Sequence, residues 1–395
     1  MCLCLLACAG GPVSAQTAPF QTSIDATWQT ALRLAQSGQD AQALPLMERL
    51  VSAAPRNKQF RFELALILYR LGRDRRARFH LEQVRGAALT DAEARLVNQV
   101  LAKIQERKVW SGHFSFNIRP ETNGTKQTED RILVIGGFPL TLNDTAIGKP
   151  TVSTIVSTGF GYAPTLRPGL KAEFSLHSYL KYNTEVALRD YQLTGRAGLA
   201  FSPDATRHWA GGLSLNTRRA ADVPYSETAG LYLSHARQVS RRGTLRFGAE
   251  ISRTFRRAGR TDIDRGYASV SYSHAVGGHA QISTTGFIER NLTDERGLDG
   301  LRRGISIGGL YAFNGGLITK LSLRLEDDER TGVNPVFGVA RKDKKTVLDL
   351  RIYHRDFRVG QFAPQIQFGI ERNRSNIPLA DYTNRYFSLG LTRKF

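Results

Sequence analysis

Cysteine disappears from the chain almost at once. The three that occur, Cys2, Cys4 and Cys8, all precede residue 9, so nothing beyond them can build a disulfide scaffold, a zinc–thiolate site or a thiol nucleophile. Long apolar runs are missing too. No stretch approaches the roughly 18–20 residues that a membrane-spanning helix needs, although 41% of the residues are hydrophobic. That absence excludes a helical membrane protein but leaves a strand barrel untouched, because alternating strands average out in any hydropathy window. There is no Gly-x-Ser-x-Gly elbow and no His-Glu-x-x-His pair, and the eight histidines are scattered, His113, His177, His235, His274 and His354 each standing alone. The sequence therefore predicts neither an enzyme nor a cofactor or metal protein.

What stands before residue 16 reads as a leader. Residues 1–15 carry no charge, contain the apolar run Cys2 to Ala9 and end in Val13-Ser14-Ala15, a small-residue cleavage pattern. The missing basic segment points to a start further upstream, and Leu5-Leu6-Ala7-Cys8 also has the form of a lipidation signal on Cys8. Either form exports the chain. Acidic residues are in deficit: 35 Asp and Glu against 55 Lys and Arg leave a net charge of +20. In an exported chain this excess suits lipopolysaccharide, an acidic substrate or a charged lumen better than nucleic acid.

From about residue 20 to 107 the apolar spacing is helical, as in Trp28, Ala31, Leu32 and Ala35. Displacing the chain by 34 residues superposes Ala31 on Ala65, Gly38 on Gly72, Asp40 on Asp74 and Ala43 on Ala77, which is the tetratricopeptide period. Gly38 and Gly72 fall at the expected turns, and the alanines permit close helix packing. Thr90-Asp91-Ala92-Glu93 has the form of a capping box opening a last helix. A tetratricopeptide-like interaction module follows, with a generic helical bundle as the alternative reading.

After Arg107 the period changes to two. Fourteen alternating segments run from Trp110–Arg119 to Tyr386–Phe395; in one of them Leu245, Phe247, Ala249 and Ile251 oppose Arg246, Gly248, Glu250 and Ser252. The last places Phe387, Leu389 and Leu391 on one face and ends on the aromatic Phe395, the form of a strand that closes an outer-membrane barrel and signals its assembly. Turns such as Gly277-Gly278 and Asn314-Gly315 follow even strands, and longer polar stretches such as 292–303 and 329–344 follow odd ones, predicting short periplasmic turns and long outer loops. The fold class is thus α+β in two domains. A leader at 1–15 precedes a periplasmic all-α domain at 20–107 and an antiparallel transmembrane β-barrel of about 14 strands at 108–395. Within the last, the apolar connection 120–150 is either a plug across the mouth or a long loop extending the wall. The acidic run Glu326-Asp327-Asp328-Glu329 reads as a solvated rim balanced by arginine rather than a calcium site.

This arrangement, with the stretch Gly136-Gly137-Phe138-Pro139-Leu140-Thr141-Leu142-Asn143-Asp144, resembles the surface lipoprotein assembly modifier family. The resemblance implies an outer-membrane translocator whose helical domain captures a client lipoprotein, or a secreted haem-binding protein, and whose barrel forms the path. Its further partners would be the barrel assembly machinery, lipopolysaccharide and outer-membrane lipid. An exporter of anionic polysaccharide and a passive porin are the alternatives.

Overall fold

The computed structural model describes residues 18–85, 89–107, 109–135, 137–295, 297–313, 316–354, 357 and 359–394. The leader read at 1–15 with its cysteines, the Asn314-Gly315 turn and the terminal Phe395 lie outside them. The chain divides into two compact units, Met1–Val84 and Arg85–Phe395.

Among the described residues the first unit is helical: α1 (Ala18–Gln36), α2 (Asp40–Ala53), α3 (Lys58–Arg70) and α4 (Asp74–Arg85). Asn57 caps α3 by accepting from the backbone N–H groups of Gln59 and Phe60 at 2.9 and 3.2 Å. The α1–α2 and α3–α4 turns each pass through a left-handed glycine, Gly38 at φ +77° and Gly72 at φ +69°. A side chain at either position would be strained by its own backbone. Trp28 packs on Phe60 with ring centroids 4.8 Å apart, and the Asp40 carboxylate receives a bidentate pair of hydrogen bonds from Arg70 at 2.8 and 2.7 Å. Ala31, Ala43, Ala65 and Ala77 are completely buried.

The second unit opens with α5 (Asp91–Arg107). The Thr90–Glu93 capping box forms as read: the Thr90 N–H donates to the Glu93 carboxylate at 2.8 Å, and the Glu93 N–H donates to Thr90 Oγ1 at 3.3 Å. Fourteen strands then close a ring: β1 (Trp110–Glu121), β2 (Thr151–Tyr162), β3 (Leu170–Asn183), β4 (Asp190–Asp204), β5 (Arg207–Ala220), β6 (Val223–Gln238), β7 (Gly243–Arg256), β8 (Ile263–Val276), β9 (Ala280–Leu292), β10 (Gly300–Ala312), β11 (Leu317–Asn334), β12 (Val339–His354), β13 (Ala363–Ser375) and β14 (Tyr382–Lys394). Each pairs antiparallel with its sequence neighbours, and β14 closes on β1 in the register His113 to Lys394, Ile118 to Leu389 and Glu121 to Tyr386. Closure removes the unpaired edges that an open sheet would expose. Because the strand number is even, the chain enters and leaves the barrel at one end.

The connections depart from the expected alternation. At the end away from the start of β1, β5 and β6 are joined by only Ala221 and Asp222, both at positive φ, as a type I′ hairpin turn requires. The stretch 329–344, expected to be a loop, instead continues the β11–β12 ladder up to Asn334 and Val339. Polarity misled there: charged residues above an apolar band still pair as strand. The one long connection, between β1 and β2, carries a small hairpin, Ile132–Ile135 against Phe138–Thr141.

Candidate functional site

Strand alternation gives the ring two unlike walls. Outward stand Ile118, Leu176, Leu213, Leu231, Ile251, Val270, Ile288, Ile307, Leu321, Leu348, Phe368 and Leu389, each more than a third exposed. An apolar belt contributed by strand after strand has no stable place in water, but it matches a bilayer's hydrocarbon. At the end where β1 begins and β14 ends, the belt is edged by aromatics: Trp110 lies on Tyr162 at 4.1 Å between centroids and Trp209 on His235 at 3.7 Å. Such rings favour the membrane interface.

The inner wall is a ladder of charge. Arg196 of β4 reaches Glu250 of β7 at 3.1 Å, and Arg265 bridges Glu250 and Glu289 at 2.9 Å each. Arg302 completes the chain on Glu289 at 3.0 Å. Alternating signs allow each carboxylate to be shared by two guanidinium groups, which offsets the cost of withdrawing Glu289 from water to 7% side-chain exposure. A cavity of about 510 Å³ opens on this side of the lumen, lined by Glu173, Arg196, His208, Tyr232, Arg246 and Glu250.

The opposite side, around the β1–β14 seam, is packed shut by polar side chains. Glu121 accepts hydrogen bonds from Asn384 at 3.0 Å and Ser153 at 3.3 Å and pairs with Lys181 at 3.5 Å. Asn384 and Ser153 are fully buried. The start of the β1–β2 connection folds onto this cluster: the Asn123 N–H donates to Asn384 Oδ1 at 3.1 Å, and Lys126 Nζ reaches the Glu371 carboxylate at 2.9 Å, where Tyr382 also donates. The apolar stretch beyond behaves differently. Leu133 is buried, but Ile132, Val134, Phe138 and Leu140 are all more than half exposed.

Phe387, Leu389 and Leu391 lie on the outer face of β14, Leu389 between Ile118 and Ile366 in register. The helical residues Ala31, Gly38, Ala43, Ala65, Gly72 and Ala77 belong to the first unit. Each member of the acidic run has an arginine: Glu326 pairs with Arg324, Asp327 and Glu329 with Arg303, and Asp328 with Arg330. The His113 and His177 rings lie 5.0 Å apart between centroids on the inner wall, tilted by 34°. Gly159 lies between them in register, and a Cβ there would strike the His113 ring. At the β4–β5 turn, hydrogen bonds from Thr206 and Arg207 hold the Asp204 carboxyl well below the usual carboxylate range. Sequence reasoning missed the ion ladder and the seam cluster. Each joins side chains from five strands, and only the register brings them together.

A family profile described as "Surface lipoprotein assembly modifier" matches residues 181–395. Surface lipoprotein assembly modifier 1 of Haemophilus influenzae is 20% identical over 384 residues, covering 93% of this chain and 77% of that protein. Among solved structures, a Pseudomonas aeruginosa FadL homologue aligns with a TM-score of 0.44 and 9% identity, over 72% of this chain and 90% of that one. An anion-selective porin from Comamonas acidovorans aligns with a TM-score of 0.41 and 12% identity, over 72% and 98%.

Proposed function

The chain belongs to the surface lipoprotein assembly modifier family, and from that premise we propose that it is an outer-membrane translocator moving lipoproteins from the periplasm to the cell surface. The observation that carries this reading is the closed ring of fourteen strands with an apolar outer belt and a charged inner wall, joined to an N-terminal helical unit. The belt sets the barrel in the bilayer, and the inner wall gives a polar chain a water-compatible route.

The helical unit takes the role of client capture in the periplasm. Its support is the pair of glycine turns, each followed by a helix beginning on aspartate, Asp40 and Asp74. This is the 34-residue repeat of tetratricopeptide modules, whose concave faces hold extended segments. Since β1 begins and β14 ends at one end of the barrel, a periplasmic helical unit sets the end of β14 on the periplasmic side as well, where the barrel assembly machinery would read this strand. Clients are lipoproteins, or related secreted proteins that bind haem; lipopolysaccharide and outer-membrane lipid surround the barrel. No cofactor or catalytic step is called for, and client folding outside the cell supplies the direction.

The test deletes residues 20–107 while keeping the barrel, in cells that carry a candidate lipoprotein. Expected is a barrel that still inserts and a lipoprotein that no longer reaches the surface. Unchanged surface display by the deletion would remove capture from the helical unit.

A further inference from the structure

One row of the inner wall lacks the carboxylates that join the arginines of the ion ladder. Lys320 of β11 stands directly opposite Arg351 of β12. The same row continues through Gln367 of β13 and Ser388 of β14 to Arg119 of β1, whose Nη2 donates to Gln367 Oε1 at 3.4 Å. Like charges facing each other across a ladder repel. Among the described residues neither Lys320 nor Arg351 has a carboxylate partner.

Buried atoms within the row make this sharper. Arg119 Nε, Arg351 Nε and Ser388 Oγ are buried and have no hydrogen-bond partner among the described residues, and Ser388 is only 1% exposed. Arg119 also covers the face of the Tyr386 ring at 4.7 Å, which fixes its guanidinium against the wall. The carboxylates in the neighbouring row are already engaged: Asp349 accepts from Tyr386 Oη at 2.9 Å and from Gln367, and Glu121 holds Asn384, Ser153 and Lys181. Buried donors without acceptors are costly. Two guanidinium groups, an ammonium and a hydroxyl on one wall are the donor set that an oxyanion satisfies, through charge-assisted hydrogen bonds.

We propose that Lys320, Arg351, Arg119 and Ser388 form an oxyanion-binding site on the lumen wall, taking a phosphate or carboxylate group. This goes beyond lipoprotein assembly and stands or falls without it. The group has two possible sources, a free inorganic anion or an acidic side chain on a polypeptide in the lumen.

The experiment is isothermal titration of the full chain in detergent micelles, once with inorganic phosphate and once with a hexaglutamate peptide. Parent, K320Q, K320Q/R351Q and R253Q are compared, each first checked for the compact, heat-modifiable band of a folded barrel. Lys320 is an exposed side chain, so K320Q tests the site without disturbing the packed seam. Arg253 pairs with Asp264 on the outer face and controls for loss of charge alone. Expected is parent binding that weakens by about tenfold in K320Q and further in K320Q/R351Q, with R253Q unchanged. Phosphate binding in the parent marks a free-anion site, and binding of the peptide alone marks a polypeptide carboxylate. The inference is overturned if neither probe binds the parent, if K320Q/R351Q binds like the parent, or if R253Q loses as much.

Discussion

Val270 and Ser269 are chain neighbours in the middle of β8, and the barrel assigns them to opposite walls. Val270 is 46% exposed on the outer face, between Phe247 and Gly286 in register. Ser269 faces inward beside Gly248, where a Cβ would lie 3.0 Å from its Oγ. Arginine at Val270 must therefore enter hydrocarbon near the middle of the wall. The cost is about 2–4 kcal/mol, roughly a 30- to 1,000-fold shift toward the unfolded state. At Ser269 the same arginine extends into a wetted lumen, with space left by Gly248, and costs on the order of 1 kcal/mol or less. Chemical unfolding in lipid vesicles, followed by tryptophan fluorescence and heat-modifiability, measures both variants against the parent. A larger loss for Ser269→Arg than for Val270→Arg would reverse the assignment of walls, and equal losses would refute a lipid-facing belt altogether.

Other substitutions test other parts of the structure. Ala221 sits at φ +51° in the β5–β6 turn, so Ala221→Gly should stabilise the barrel by about 1 kcal/mol in the same unfolding assay. Ala65→Leu inserts bulk where no surface is exposed and should cost the isolated helical transition about 1–3 kcal/mol by thermal circular dichroism. Asp40→Ala leaves Arg70 without its bidentate partner, and because Arg70 is partly exposed the loss should stay near ~1–2 kcal/mol. The depressed Asp204 pKa means its contribution is complete above the ordinary carboxylate range and fades only as the pH falls through the lowered value. The difference in stability between the parent and Asp204→Asn should accordingly persist at neutral pH and vanish in strong acid. Phe395→Ser should lower the amount of barrel in outer-membrane fractions, and unchanged amounts would free the terminal residue of any role in assembly.

Much of the architecture was legible because its cause is local. The alternation of Leu245, Phe247, Ala249 and Ile251 is a property of one strand, and it survives into the structure as an outer face. Gly38 and Gly72 announced their turns for the same reason, since left-handed backbone selects glycine at that point and nowhere else nearby. What stayed hidden depends on register between distant strands. Nothing near Lys320 indicates that Arg351 will face it, or that Arg119 of the first strand will complete the row through the last. The connection 120–150 was half legible. Its apolar run suggested burial, but among the described residues of that run only Leu133 is buried, while Asn123 and Thr128, with no apolar signal at all, are almost completely buried. Buried polar residues cannot be recognised until their hydrogen-bond partners are known.

The most direct test of the translocator reading is protease shaving of intact cells that express this chain together with a candidate client lipoprotein. The account predicts that added protease degrades the client when the full chain is present and spares it when the chain is absent, with total client levels equal. A client equally accessible in both strains, or equally protected in both, would contradict it.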